Sequence, residues 1–210
     1  LGAKSVCPSV TMEVQFTGSW YDENEEKNAA IALMNNGCVL ISQHADSMGA
    51  PGACEAAAIP NVSYDGSTYD ACPETFIVSS AINWAPYYMY ITKCFAEGAD
   101  IAPNWCGGIE EGSVVLTGIN LDVAAEGTVK AIEDAIAAFK AGTLKVFDTA
   151  TFTVGGKKLE SYMADVDSDA AFTPDTEVIE NGIFMESKFR SGPYFDLEID
   201  GITLLDRNYG

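Results

Sequence analysis

The segment QHADS holds three side chains that could do acid–base or nucleophilic chemistry within four residues, namely His44, Asp46 and Ser47. In a serine hydrolase a histidine must reach the nucleophile while a third group orients that histidine. Side chains this close in sequence cannot take up those three positions by themselves. The sequence also lacks the GxSxG turn that exposes a nucleophilic serine. The segment therefore does not predict a hydrolase.

Metal and cofactor chemistry is not favoured by the sequence either. His44 is the only histidine, and no HExxH or paired-histidine spacing is present. The acidic stretch that begins at Asp165 resembles a calcium loop, but Ala170 and Thr176 stand where such a loop needs its glycine and its glutamate. We interpret it as a solvated loop, with weak calcium binding as the alternative. Without a P-loop or a GxGxxG motif, no bound cofactor is predicted.

The balance of charge restricts the partners of this chain. Its 31 acidic and 11 basic residues give a formal net charge of −20, so nucleic acid or an anionic membrane surface would be repelled. We interpret the charge as a source of solubility. With 48% hydrophobic residues the composition is globular, and no run approaches the roughly 18 apolar residues of a membrane span. The opening LGAKSVCPSV lacks Met and a signal-peptide pattern, which leads us to expect a processed or truncated chain.

The six cysteines have two kinds of surroundings. Cys38 and Cys94 fall in apolar stretches and are expected to be buried as small hydrophobic side chains. Cys54, Cys72 and Cys106 lie close to glycine or proline and could pair if the protein is exported. No CxxC spacing occurs, so a zinc ribbon is not predicted. The sequence leaves the disulfide pattern open.

Strands and helices alternate at short spacing along the first 150 residues. Strands are predicted at 11–17, 38–42, 61–66, 75–83 and 113–119, and helices after Asp22 or Asn24, in SMGAPGACEAAA, from Trp84 and over 127–143. This alternation predicts an α/β fold with a mostly parallel sheet flanked by helices. The apolar run CVLIS is typical of a strand buried on both faces. Beyond about residue 150 we predict a hairpin around Gly155 and Gly156, then an acidic, aromatic tail.

Polar and aromatic side chains follow each of the first four predicted strands. In a doubly wound sheet, ligands bind outside the carboxyl ends of the strands, so these clusters predict one shared cleft. Aromatic rings with polar neighbours suit a planar, polar-edged molecule such as a purine. The alternative is that the aromatic rings belong to the core. The predicted ligand-binding residues are Trp20, Tyr21, Asp22, Gln43, His44, Asp46, Ser47, Asp65, Asn83 and Trp84.

The same segments carry a family resemblance. GSWYD, QHADS, NWAPYY and WCGGIEEGSVVL, in this order and spacing, closely resemble the BMP (basic membrane protein) family of ABC-transporter substrate-binding lipoproteins. AIAAFKAGTLKVFDT is similar to the late helix and strand of that family. The resemblance covers about residues 1–150, and its motifs are specific together although each is weak alone. RSGPYFDLEIDGI resembles an extension carried by some members.

The resemblance implies a type I periplasmic-binding-protein fold, in which two α/β lobes close on a ligand. It also implies that an amino-terminal lobe, present in family members, is missing here. Residues 1–80 would then be the second lobe, 81–150 the hinge crossing and return segment to the first lobe, and 151–210 a carboxy-terminal hairpin and acidic extension. On this view SVVLTGI would lose its sheet neighbours, and exposed strand edges would favour self-association.

The ligand class follows from the resemblance residue by residue. Nucleoside-binding members hold the ribose with an aspartate in a GVDSDQ-like turn. Of the two acids in that turn, this chain keeps the first as Asp65 and has Ser67 in place of the second. Asn83 stands where those members have a lysine. The SWYD, QHxDS and NWxPYY segments look more like members associated with free purine bases. A nucleobase and a nucleoside both remain open, and His44 and Asp46 would line the cleft.

The resemblance implies binding rather than catalysis. The protein would bind a purine outside the cytoplasm, as a lipoprotein or periplasmic protein, and the closed form would deliver it to an ABC permease. Because no bond is broken, no catalytic residue is expected. Three alternatives are a ligand-sensing receptor module of the same fold, an enzyme that processes nucleosides and a surface lipoprotein that acts as an adhesin.

Overall fold

The structure is a computed structural model that describes residues 1–167, 171 and 173–207. Helices and short strands alternate up to residue 140, and the remaining described residues form short strands joined by turns. The helices are α1 (Gly2–Val6), α2 (Glu23–Asn35), α3 (Gly49–Ala57), α4 (Ala85–Glu97) and α5 (Thr128–Lys140). The strands are β1 (Met12–Val14), β2 (Ile41–Ser42), β3 (Asn61–Tyr64), β4 (Phe76–Ile82), β5 (Val114–Leu116), β6 (Met163–Ala164), β7 (Thr176–Glu177), β8 (Ile179–Glu180), β9 (Ile183–Phe184) and β10 (Ile202–Leu204).

A four-stranded sheet in the order β2-β3-β4-β5 forms the centre of the first 120 residues. β2, β3 and β4 are parallel, whereas β5 is antiparallel to β4. The predicted α/β class with a mostly parallel sheet is thus confirmed. The expectation that SVVLTGI lacks a sheet neighbour is wrong, because Val114 to Leu116 pair with Ser80 to Ile82 within this chain.

The predicted first strand does not join this sheet. β1 pairs in parallel with β10, from Met12 opposite Ile202 to Val14 opposite Leu204. The backbone N–H of Phe16 extends the contact by donating to the Asp206 carboxylate at 3.0 Å. The sequence pattern placed this first strand in the central sheet. In the structure its pairing partner is instead the tail strand β10.

Helices α2 and α3 pack on the central sheet and build its core. Asp22 caps α2 by accepting from the backbone N–H groups of Asn24 and Glu25, which decides between the two predicted caps. The small side chains Ala30, Ala50 and Ala53 let the two helices approach closely around Ile41 and Cys54. Leu33 and Met34 of α2 pack against this core while remaining half-buried.

The run CVLIS is not the fully buried strand that its composition predicts. Only Ile41 and Ser42 form β2, and Val39 and Leu40 are exposed. Pro60 directly precedes the partner strand β3, and its carbonyl accepts from Ile41 N. Because proline has no backbone N–H, it cannot donate to extend the ladder further back.

The residues after 146 form a second core. Phe184, Val178, Ala164 and Tyr194 are buried together, and half-buried side chains such as Phe147 pack around them. The predicted turn at Gly155 and Gly156 is present, with both glycines at positive φ between the bridged residues Val154 and Lys157. The predicted hairpin is reduced to this single bridge.

All six cysteines are free thiols in the structure. Cys94 is buried, as predicted, and Cys38 is half-buried. Cys54 and Cys72 are both fully buried, and burial raises the pKa of the Cys54 thiol to about 11. The Cys54 thiol is therefore protonated at neutral pH and packs as a small apolar side chain.

Candidate functional site

The carboxyl ends of β2, β3 and β4 lie at one edge of the sheet because the three strands are parallel. The residues that follow them form, with the loop after β1, a surface that we call the strand-end edge. Its first two loops are joined directly, since the backbone N–H of Asp46 donates to the carbonyl of Trp20 at 2.8 Å. GSWYD and QHADS therefore lie side by side even though β1 belongs to another sheet.

The carboxylate of Glu26 makes a second connection between these two loops. One oxygen accepts from the backbone N–H of Asp22 at 2.9 Å, and the other accepts from the backbone N–H of Ser47 at 3.1 Å. Glu26 is only 3% exposed. Glu26 lies one residue beyond the carboxylate position of a capping box, and its side chain still reaches back to the cap.

Gln43 and Ser47 face into the loop rather than outward. The Gln43 amide donates to the carbonyls of Ala45 and Ser47, both at 2.9 Å. Its oxygen is buried and has no hydrogen-bond partner. Ser47 is buried, and its hydroxyl accepts from Gly49 N at 3.1 Å where α3 begins. Both side chains shape the edge more than they present groups to solvent.

The loops after β2, β3 and β4 are also neighbours. The rings of His44 and Tyr64 lie 5.4 Å apart. Asp65 has a positive φ of 64° and donates from its backbone N–H to the Ser80 carbonyl at 2.7 Å. This left-handed conformation turns the chain at the end of β3 and leaves the residue exposed.

Asn83 and Trp84 start helix α4 at the end of β4. The Asn83 amide donates to the Gly112 carbonyl at 3.0 Å, and its side-chain oxygen accepts from Ala85 N at 3.2 Å. Both polar atoms of Asn83 are therefore engaged within the chain. Trp84 is exposed and begins an aromatic cluster in which neighbouring rings lie 5.4–6.5 Å apart. The cluster comprises Trp84, Tyr87, Tyr88, Tyr90 and Trp105.

The strand-end edge is an open surface. Trp20 is 75% exposed, and Tyr21, His44 and Asp46 are also exposed, so these aromatic rings are not part of a core. Two cavities of about 450 Å³ each lie elsewhere, one between α2 and α3 and one beside Tyr69 and Asn120, and neither is lined by the predicted residues. The edge can offer flat apolar faces and carboxylate or imidazole hydrogen bonds to a ligand covered from the other side.

The structure also bears on metal binding and membrane insertion. Among residues 1–167, 171 and 173–207, no group of three or more histidine, cysteine and carboxylate side chains could hold a metal ion. The acidic loop considered for calcium includes residues 168–170 and 172, which lie outside the described residues. Within the described chain, no helix has both the length and the apolar character needed to cross a bilayer.

Sequence reasoning missed Glu26 and Tyr64 at this edge. Glu26 follows the cap Asp22 by four residues, one more than the three-residue spacing of a capping box, and its carboxylate accepts from the Asp22 N–H. The capping-box spacing points to Glu25 instead, so local spacing carried no direct signal for this bond. The bond of Glu26 to Ser47, 21 residues away, depends on tertiary structure. Tyr64 stands beside Asp65 in SYDGS, and only the fold shows that it meets His44.

Two curated relatives each match about two thirds of the chain. One, from Haloferax volcanii, is provisionally named an ABC transporter glucose-binding protein and is 30% identical over 65% of this chain and 35% of its own length. The other is a purine-binding protein of Brucella abortus, 31% identical over 70% of this chain and 41% of its own length. The chain thus spans well under half the length of these relatives.

The fold and a family model agree with these matches. The structure is similar to an ABC transporter solute-binding protein from Conexibacter woesei, with a TM-score of 0.57 at 21% identity, covering 69% of this chain and 49% of the other. A family model described as Bmp, ABC transporter substrate-binding protein PnrA-like, matches residues 1–147. The match spans most of the chain and includes every predicted ligand-binding residue. This chain therefore belongs to the Bmp family of PnrA-like ABC transporter substrate-binding proteins.

Proposed function

We propose that this chain is part of an extracytoplasmic solute-binding component of an ABC importer, and that the strand-end edge is one wall of its ligand cleft. The observation that carries the proposal is the junction of the first two loops, where Asp46 N meets the Trp20 carbonyl at 2.8 Å. This junction holds exposed aromatic and polar side chains next to each other. Such a pairing of flat apolar and directed polar groups is typical of ligand sites.

The ligand that fits this chemistry best is a purine nucleobase or nucleoside. The rings of Trp20 and Tyr21 offer stacking surfaces, and the carboxylate of Asp46 is an acceptor for ring or amino N–H groups. The resemblance places Asn83 where nucleoside-binding members have a lysine, which favours a free base over a ribose-bearing ligand.

Closure provides the mechanism of the proposed importer component. A ligand held against the strand-end edge is covered by a second lobe, which excludes water and strengthens the polar contacts. The ligand shifts the balance between open and closed forms only by its difference in affinity for the two. The closed form then docks on a membrane permease, and no bond in the ligand is broken.

A sugar is the second candidate ligand, because one relative carries the name of a glucose-binding protein. A thermal-shift screen of the intact protein with adenine, guanine, adenosine, guanosine and glucose separates the candidates. A ligand at 100 times its dissociation constant stabilises the folded state by about 2.7 kcal/mol. We expect a shift with the free bases. A shift with glucose alone would replace the purine proposal, and no shift with any of the five would contradict it.

A further inference from the structure

Glu26 occupies an unusual position for a carboxylate. It is 3% exposed, and among the ion pairs of the described residues none includes it. Burying a charge is unfavourable unless hydrogen bonds or dipoles compensate. Here the compensation comes from two backbone N–H groups, at 2.9 Å and 3.1 Å, beside the amino-terminal ends of α2 and α3.

The two donors belong to the peptide units that matter for the strand-end edge. Asp22 N is the nitrogen of the peptide bond after Tyr21, and Ser47 N is the nitrogen of the peptide bond after Asp46. Holding these nitrogens fixes the backbone directly behind two exposed side chains predicted to touch ligand. Helix capping alone would need only the first of these bonds.

We infer that Glu26 is a positioning residue for ligand binding, whose buried carboxylate holds the loop after β1 and the loop after β2 in one arrangement. The inference rests on the proposed function for its effect on affinity. Preorganised loops lose less freedom when a ligand binds, so their affinity is higher than that of loops that must be ordered first. Glu26 acts through the two peptide units and does not contact the ligand.

Substitution of Glu26 by glutamine tests the inference. The amide has the same shape but only one accepting oxygen, so one of the two backbone N–H groups loses its partner. Glu26→Asp keeps the charge near the helix terminus but is too short to reach both donors. Glu25→Gln is the matched control, since it removes the same charge from an exposed neighbour in the same turn.

The first measurement is hydrogen exchange at single amides of the intact, folded protein without ligand. In Glu26→Gln and Glu26→Asp we expect at least one of the Asp22 and Ser47 amides to exchange about tenfold faster. This change corresponds to the loss of about one charge-assisted hydrogen bond. Amides in the middle of α2 should exchange as before, which a general loss of stability would not allow. Unchanged exchange at both Asp22 and Ser47 would overturn the inference.

The second measurement is calorimetric titration with adenine, guanine, adenosine, guanosine and glucose. We expect both Glu26 variants to bind about tenfold more weakly than the unsubstituted protein, and Glu25→Gln to bind equally well. Equal binding by the Glu26 variants, or equal weakening by Glu25→Gln, would overturn the positioning role. If the unsubstituted protein binds none of the five compounds, the proposed function is overturned. The loop-holding role is still decided by the exchange experiment, because that experiment needs no ligand.

Discussion

At the scale of single residues, hydrogen bonds within the protein divide the predicted binding residues into two groups. In one group the polar side-chain atoms form hydrogen bonds with neighbouring backbone groups, so these residues act mainly on the shape of the edge. This group contains Gln43, Ser47 and Asn83. Trp20, Tyr21, His44 and Asp46 keep exposed side chains. A residue type in a sequence reports which bonds a side chain can make, but not which ones the fold has already used.

Loss of the Trp20 ring should weaken ligand binding without destabilising the protein. Trp20 is 75% exposed, so Trp20→Ala removes little buried surface, and the unfolding free energy should change by less than about 0.5 kcal/mol. If the ring stacks on a base, binding should weaken by about 1–3 kcal/mol. Calorimetric titration and urea unfolding measure the two quantities. Phe95→Ala, which removes a ring that is 87% exposed on α4, is the control, and equal binding losses in both variants would contradict the prediction.

Tyr162 should make stability depend on pH in the alkaline range. Its hydroxyl donates to the Asp196 carboxylate at 2.5 Å, and this hydrogen bond, with burial and the carboxylate charge, raises the pKa of Tyr162 to about 12 from 10.0. Because the folded state holds this proton more tightly, the contribution is complete below pH 10 and is lost as the pH rises through 12. The stability advantage over Tyr162→Phe should therefore shrink across that window in urea unfolding. A constant difference up to pH 12 would argue against it.

At the scale of elements, the close packing of α2 on α3 depends on small residues at their contact. Gly49 begins α3, and a Cβ placed on it would lie 2.1 Å from the carbonyl oxygen of Glu23. Glu23 is the first residue of α2 and stands next to the cap Asp22. The fit of these two helices therefore bears directly on the position of the GSWYD loop.

Gly49→Ala and Gly52→Ala should differ strongly although both lie in α3. Alanine at 49 must push backbone atoms of α2 aside, so we expect a loss of about 1–3 kcal/mol in unfolding free energy. At Gly52 a Cβ would meet nothing within 4 Å, so alanine should be neutral or stabilise the helix by up to about 1 kcal/mol. Thermal and urea unfolding would check both values. Equal stability of the two variants would show that the helices can separate at no cost.

At the scale of the whole molecule, the described residues form two hydrophobic cores with no shared residue among their members. The first includes Ile41 and Cys54 under α2 and α3, and the second is centred on Phe184 in the tail. The family model ends at residue 147, where the second core begins. The parallel pairing of β1 with β10 ties the tail back to the loop that carries Trp20.

Phe184→Ala should destabilise the tail while leaving the first core protected. The ring is fully buried and in contact with four other aromatic rings, so its loss should cost about 3–5 kcal/mol in that core. Amide exchange should accelerate around Val178 and Tyr194 and remain slow in α2 and α3. Equal acceleration in those helices would mean that the two cores unfold as one unit.

The sequence by itself determined the alternation of helices and strands, a cap for α2 at Asp22 or Asn24 and the order of the motifs at the strand ends. These features follow from local periodicity and capping chemistry, and they lie within the residues that the family model matches. Only the tertiary structure decided that β1 pairs with β10, that CVLIS contributes two strand residues and that Glu26 joins two loops. The physical reason is that each of these features depends on a partner distant in the chain, at Ile202, Pro60 and Ser47. Local sequence patterns do not specify which distant group a residue will contact.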